Sequence, residues 1–329
     1  MTLKFGTQTT PHMLLQPYRR GAWQASEIRP YGPLTLDPLS KGLHYGQSVF
    51  EGIKAFRQPD GSTALFRPEL HLERLVSSAE HFCMPAVDLK PLLAKLCELV
   101  SLDADHVPDP PGSLYIRPLL FSDHGALIPE PSSSFLLAVM LLPVGTYIDK
   151  PEGLRLRTQI DSIRAAPGGT GAVKCAGNYA GALRVTFEAK EEGLDEVVWL
   201  DAHERCFLEE VGTMNLFVVR NGRLITPPLG DTILPGITRR SLITLAKDRG
   251  IEVSEERISV DQANWNSIEE VLTCGTAVGV LGVRELLHED RTLFDAQAMG
   301  PVTTELAGAL DGVRFGTSNE HPEWRMQVR

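Results

Sequence analysis

What this sequence lacks narrows its class before any motif is read. Its 329 residues hold only five cysteines, Cys83, Cys97, Cys175, Cys206 and Cys274, widely spaced and odd in number. No two of them form a CxxC pair, so neither a zinc site nor a disulfide framework is indicated and no metal is expected. A reducing cytoplasm is the expected compartment. The start of the chain has no apolar run that suits a signal peptide, and no stretch approaches the length of a membrane span. Positive charge is in deficit: 32 Lys and Arg face 42 Asp and Glu, a net charge of −10. That balance argues against a general affinity for nucleic acid or anionic membranes, though not against a local basic pocket. Internal repeats and low-complexity blocks are absent. A phosphate loop is absent too. In GGTGAVKCAGNY (168–179) the lysine follows Val173 and precedes Cys175, whereas a P-loop needs glycine before the lysine and Ser or Thr after it.

What is present is an ordinary globular composition, 43% hydrophobic and 22% charged, at a length that suggests about two domains. Residues 1–40 read as an irregular lead-in with one short strand. The latter half of 42–56 reads as a strand, and Asp60-Gly61 as the turn of a hairpin. A helix is predicted from Pro68, where proline suits the first helical position and Leu72, Leu75, Val76 and Ala79 repeat at helical spacing. Arg74 falls away from that apolar stripe, where a solvated arginine is the default reading. A second helix is predicted over 91–102. SLYIRPLLF (113–121) and SFLLAVMLL (134–142) read as buried strands. The domain boundary is placed at 143–153. Beyond it come the strand LRLRTQI, a helix over 178–192 stopped by Gly193, the strand DEVVWLD and one extended run, 204–219. Asn221-Gly222 is a strong hairpin signal. A helix capped by Gly250 follows, then an apolar strand interrupted at Gly275-Thr276-Ala277. The polar tail from Asp311 is expected to be mobile.

The chemistry-bearing residue is Lys174. Glycines at 168, 169, 171 and 177 let the backbone turn tightly and approach a ligand. A lysine there becomes a nucleophile if burial or a neighbouring cation lowers its pKa. The alternative, a surface lysine beside a glycine-rich turn, stays open on this stretch alone.

Several stretches taken together go further. GLHYGQSVFEGIKAF, HLERL, LYIRPLLF, PVGTY, GGTGAVKCAGNY, EVVWLD, EEVGTMNLF, LPGITR and CGTA occur in that order. In this register they resemble the branched-chain aminotransferases, pyridoxal-phosphate enzymes of fold type IV, across residues 42–279. The VGTMN and GGTG segments look most like the longer subgroup of animals and some bacteria. The resemblance implies an α/β (α+β) chain of two domains: a smaller N-terminal α/β domain (1–142), an interdomain loop (143–153), and a larger C-terminal mixed-sheet domain (154–329). The last would carry the Schiff-base lysine, with the cofactor at the interface. It further implies reversible transfer of the amino group of L-Leu, L-Ile or L-Val to 2-oxoglutarate, by a ping-pong scheme in a homodimer.

Residue roles follow from the same resemblance. Lys174 would bond the cofactor and move the substrate Cα proton, since an amine suits both tasks. Glu210 would stand beside the pyridine nitrogen, keeping the ring protonated so that it can take up electrons. Glu209 is the alternative, but the five-residue step to Asn215 favours Glu210. Tyr179 would lie near the phenolic oxygen. Arg74 would hold the phosphate, against the solvated reading, with backbone N–H groups at Ile237 and Thr238 and the hydroxyl of Thr276. Arg67 receives no role. Tyr115, Thr276 and Ala277 would hold the substrate carboxylate. Phe50, Tyr147 and Tyr179 would line the side-chain pocket, and Arg117 would meet the distal carboxylate of glutamate. Tyr45 and Ile128 would reach in from the partner subunit. The sequence also departs from the family: VGVLGVREL follows GTA with no proline, Lys54 replaces an arginine common in the short bacterial subgroup, and the redox CxxC of some animal members is missing. Cys175 reads as a small core residue. The rivals are D-amino-acid transamination or aminodeoxychorismate lyase chemistry on the same scaffold, and a cofactor-binding homologue that has lost catalysis.

Overall fold

The computed structural model describes residues 5–146, 148 and 150–328. The chain divides into two compact units. The first opens with β1 (His12–Arg19), β2 (Ala22–Trp23) and β3 (Glu27–Pro30), then α1 (Lys41–His44), β4 (Ser48–Phe50), β5 (Ile53–Arg57) and β6 (Thr63–Phe66). Two fourteen-residue helices follow, α2 (Pro68–His81) and α3 (Leu89–Leu102), and then β7 (Ser113–Ser122) and β8 (Phe135–Val144). Residues 1–40 are therefore not irregular: β1 pairs with β2, β3 and β8. The alternation of that stretch is weak, and a central partner, β8, makes it a strand.

The first sheet has nine strands, all antiparallel, with a main order in which β6, β5, β7, β8 and β1 are successive neighbours. Its longest ladder joins β7 to β8 from Ser113↔Val144 to Ser122↔Phe135. Leu72, Leu75 and Ala79 of α2 and Leu92, Leu96, Leu99 and Val100 of α3 pack with Val49, Ile53, Ile116, Leu137 and Val139. Each such fully buried Leu contributes about 2 kcal/mol. Asp88 caps α3 by accepting from the Lys90 N–H. Pro68 opens α2, and Arg67 before it holds a left-handed φ of 47° with its guanidinium 4.2 Å over the Trp324 ring.

The second unit contains β9 (Leu154–Gln159), most of α4 (Ala176–Glu191), β10 (Glu196–Leu200), β11 (Phe207–Val211), β12 (Met214–Arg220) and β13 (Arg223–Thr226). It continues with α5 (Ile237–Asp248), β14 (Val253–Glu255), β15 (Ile258–Ser259), α6 (Gln262–Trp265), β16 (Ile268–Gly275), β17 (Gly279–His288), β18 (Arg291–Asp295) and most of α7 (Pro301–Arg314). Its ten-stranded sheet is mixed: β9 runs parallel to β10 and β17, β13 runs parallel to β14, and the other pairs are antiparallel. The expected single run over 204–219 is instead a hairpin, because Gly212 takes φ +53° and folds β12 back on β11. The segment VGVLGVREL lies in or just before β17, which is laddered on both sides to β16 and β9. A proline within it could not donate to either neighbour.

Two stretches fall outside the expected division. Val173–Gly177 and Gly312–Arg329 belong to the first unit, which otherwise runs to residue 147, rather than to a C-terminal domain of 154–329. The reasons are backbone bonds. Cys175 bridges to Val49, and the Phe50 N–H donates to the Lys174 carbonyl at 3.0 Å. The tail, expected to be mobile, forms β19 (Arg325–Val328), paired antiparallel with β6 from Arg325↔Phe66 to Val328↔Thr63.

Candidate active site

In the first unit the site begins at the β4–β5 corner, where Val49 and Phe50 end one strand and Ile53 begins the next. Between them Glu51 is fully buried. Its own N–H is fixed to the Pro118 carbonyl at 2.8 Å. A side chain at Gly52 would collide with the Tyr115 hydroxyl, so the close passage of strand and ring requires glycine. From α2, His71 and Arg74 stand one turn apart and meet Glu51 together. Arg74 donates Nε to Oε1 at 2.6 Å and Nη2 to Oε2 at 3.0 Å, and His71 Nδ1 lies 2.9 Å from Oε2. The Arg74 side chain is only 10% exposed. The solvated reading is thus overturned, because helical spacing does not show that a sheet carries a carboxylate facing that position.

Lys174 follows directly. Its backbone N–H donates to Ser78 Oγ at 3.2 Å, and its Nζ lies 5.0 Å from the Phe50 ring centroid. Arg117 stacks over Phe50 and Tyr115 at 4.7 and 5.2 Å, and its Nη2 donates to the Tyr115 hydroxyl at 3.0 Å. Burial pushes the Lys174 ammonium below its ordinary pKa, and Arg74 adds to this, while Glu51 and Tyr115 oppose it. Burial by itself would raise the Glu51 carboxyl; Arg74 and His71 override it and hold it well below the usual carboxylate range. His71 is pushed down, chiefly by burial, so at neutral pH it faces Glu51 as a neutral ring donating Nδ1–H. Phe50, Arg74, Tyr115, Arg117 and Lys174 are therefore brought together.

In the second unit Glu210 is 4% exposed and sits opposite Asn215 across the β11–β12 hairpin. Asn215 Nδ2 donates to Oε1 at 2.9 Å, the Leu234 N–H donates to the same oxygen at 3.1 Å, and Arg164 pairs with Oε2. Arg164 also donates Nη2 to the carbonyls of Gly171 and Thr232 at 2.9 and 2.6 Å. Glu209 points elsewhere: it accepts from Thr232 Oγ1 at 2.6 Å, and burial raises its carboxyl pKa. Strand alternation separates the two neighbouring glutamates. Asn215 also donates to the Leu234 carbonyl, and a side chain at Gly236 would strike its Oδ1.

Gly236 opens α5 without a side-chain cap, so the N–H groups of Ile237 and Thr238 lie in a first turn that has no helical acceptor for them. Thr276 and Ala277 occupy the β16–β17 turn, two and three residues past Cys274, the β16 partner of Asn215. Tyr179 lies in the first turn of α4, beside Asn178, whose Nδ2 donates to the Thr170 carbonyl at 2.7 Å. Tyr45 and Ile128 belong to the first unit. Both are over half exposed, and the Tyr45 hydroxyl donates to the Leu127 carbonyl at 2.7 Å. Tyr147 lies outside the described residues. Cys175 is buried in the first core.

Sequence reasoning missed Glu51, His71 and Arg164. A charged residue inside the apolar VFEG segment was an available signal for Glu51, and no comparable signal marks Arg164. Each unit offers groups that a phosphorylated pyridine aldehyde calls for: the first a nucleophilic amine with a lowered pKa and a guanidinium, the second first-turn N–H groups and a buried carboxylate. Among the described residues no group of three or more His, Cys, Asp or Glu could hold a metal ion. No helix there is long and apolar enough to cross a membrane.

Comparison with known proteins adds the family. The family model "Amino-transferase class IV" matches residues 48–286. The chain is 40% identical to branched-chain-amino-acid transaminase 1 of Bacillus subtilis over 99% of this chain and 94% of that protein. It is 40% identical to the branched-chain-amino-acid aminotransferase of Mycolicibacterium smegmatis, covering 98% and 92%. Among solved structures, the Escherichia coli branched-chain aminotransferase superposes with a TM-score of 0.82 at 29% identity, over 97% of this chain and 100% of that one. A T.th. branched-chain aminotransferase with pyridoxamine 5'-phosphate gives 0.82 at 30%, over 98% and 100%.

Proposed function

The chain belongs to the amino-transferase class IV family, and on that premise we propose that it is a branched-chain amino acid aminotransferase. It transfers the amino group of L-Leu, L-Ile or L-Val reversibly to 2-oxoglutarate, with pyridoxal phosphate as cofactor. The observation that carries this reading is Lys174. It is a lysine held at backbone N–H and carbonyl, beside Phe50, Tyr115 and Arg117, with an ammonium that burial drives toward the neutral amine. Pyridoxal phosphate, when bound, supplies a carbonyl for the amine and a ring that takes up electrons as the Cα proton leaves.

The chain's own residues supply the rest. Lys174 is the nucleophile and then the base that moves the proton. Arg74, Ile237, Thr238 and Thr276 would hold the cofactor's phosphate, Tyr179 would lie at the phenolic oxygen, and Glu210 would supply the carboxylate for the ring nitrogen. Asn215 and Arg164 fix that carboxylate in place. Tyr115, Thr276 and Ala277 orient the α-carboxylate. Phe50 presents an apolar face to Leu, Ile or Val, and the neighbouring Arg117 pairs with the distal carboxylate of glutamate. One site thus serves both substrates of a two-stroke reaction. Tyr147 completes the pocket in this reading. A homodimer is proposed because Leu43, Tyr45, Leu127 and Ile128 form exposed apolar surface around one another's loops. A cytoplasmic location fits the five free thiols.

The test is an absorbance spectrum of the holoenzyme. L-leucine should replace the visible band of the lysine-bound cofactor by the near-ultraviolet band of its amine form, and 2-oxoglutarate should restore it. A response to D-alanine and not to L-leucine would transfer the assignment to D-amino-acid transamination.

A further inference from the structure

A buried arginine that is to bind phosphate must be held in place before the phosphate arrives. Its side chain has four torsions, and freezing them on binding costs up to about 2 kcal/mol. Arg74 is held by a constructed support. Glu51 takes two parallel N–H groups, Nε at 2.6 Å and Nη2 at 3.0 Å, the bidentate geometry that fixes a guanidinium plane. The support is itself fixed at every point. The Glu51 N–H is tied to Pro118 of β7, the following Gly52 N–H donates to Glu51 Oε2 at 3.0 Å, and His71 Nδ1 holds the same oxygen at 2.9 Å. Glu51 is 0% and His71 1% exposed. Three contacts beyond Arg74 therefore immobilise one glutamate, which is more than charge neutralisation requires. A merely neutralising partner for a surface-accessible arginine has no need of a buried histidine one turn away.

We propose that Glu51 is a positioning residue that orients the Arg74 guanidinium toward the cofactor phosphate, with His71 steadying Glu51. This rests on the reading of Arg74 as the phosphate ligand. The hydrogen bonds of the Glu51 carboxylate go to Arg74, His71 and the Gly52 N–H, so its expected effect is on cofactor retention through Arg74.

The experiment compares equilibrium binding of pyridoxal phosphate and of pyridoxal, which lacks the phosphate, to the apo-form of the full chain. Both molecules bond Lys174, so the ratio of their affinities isolates the phosphate. Arg74→Gln tests the underlying reading: an unchanged ratio there means that Arg74 does not hold phosphate. Glu51→Asp tests the inference. It keeps the charge but withdraws the carboxylate by one methylene, so the ratio should fall about tenfold, the loss of one charge-assisted hydrogen bond. A lowered ratio with Arg74→Gln and an unchanged one with Glu51→Asp would overturn the inference and leave the reading intact. Glu51→Gln is the second variant, and its ratio should fall as well. A rise would show that Glu51 acts only as a charge repelling phosphate, which also overturns the proposal. Loss of thermal stability with an unchanged ratio in either Glu51 variant would make the role purely structural.

Discussion

Each unit buries one carboxylate against one arginine, and the two pairs are built in opposite ways. Glu51 is held by side chains of a single helix, His71 and Arg74, one turn apart on α2. Glu210 is held by three separate pieces of chain: an amide on the neighbouring strand, a loop N–H at Leu234, and Arg164, which is tied to carbonyls of Gly171 and Thr232. In the first pair the carboxylate is the anchor and the arginine is presented. In the second the arginine is locked by backbone and the carboxylate is presented. In the function proposed above a phosphate would need a cation and a ring nitrogen an anion, and each pair leaves the charge of that sign as the member presented.

The largest expected effect sharpens the difference between the units' chemical roles. Lys174→Ala removes the nucleophile and base in the first unit, and steady turnover of L-leucine should fall by at least about a thousandfold. Turnover near wild type would sink the assignment. Next, Glu210→Ala strands Arg164, a buried cation whose carbonyl partners carry no charge. Such breakage typically costs about 3–5 kcal/mol, readable by denaturant unfolding of the apo-protein. A loss below about 1 kcal/mol would mean that Arg164 is already satisfied by Gly171 and Thr232 and does not depend on Glu210.

A change that touches neither pair directly, though its site packs under Arg67 at the start of α2, serves as a control. Trp324→Ala removes a ring stacked on His321 at 4.0 Å and lying under Arg67, and should cost about 3 kcal/mol while leaving the KM for L-leucine unchanged. A raised KM would show that the β6–β19 edge is coupled to the Glu51 pair. The smallest effect concerns pH. The folded chain binds a proton at His71 less readily than the unfolded chain, so the unfolded state takes up more protons below about pH 6.5. The stability that neutral His71 contributes above that pH is lost as pH falls toward its lowered folded value. His71→Asn retains a donor for Glu51 but cannot titrate, so its stability should change less between about pH 6.5 and 5, by about 1 kcal/mol. Parallel pH curves for the two proteins would contradict a neutral buried His71.

Legibility differed by element for physical reasons. Helices α2 and α3 could be read because their apolar residues repeat within one local segment, and β7 and β8 because they are long and uniformly apolar. β1 and β19 could not, since each is a strand only by virtue of a partner far away, β8 for one and β6 for the other. The turn at Gly212 was hidden because FLEEVGTMNLFVV is β-prone on both sides of a glycine, and the β11–β12 pairing determines whether that glycine bends. Motif order singled out Lys174, Glu210 and Arg74, each of which the fold buries at least nine-tenths or holds in a network of polar contacts. Glu51 lies within one of those motifs, but nothing local shows the histidine and arginine that it meets. Arg164 gave no sign.

By itself the sequence determined the family and the cofactor chemistry it calls for, because a catalytic role demands a residue type at a position and leaves a pattern in order and spacing. Only the tertiary structure decided which unit holds Lys174, that Glu51 and His71 brace Arg74, and that Arg164 braces Glu210. Those pairings join segments from 20 to 96 residues apart through single hydrogen bonds and ion pairs at about 3 Å, and local propensity carries no record of such distances.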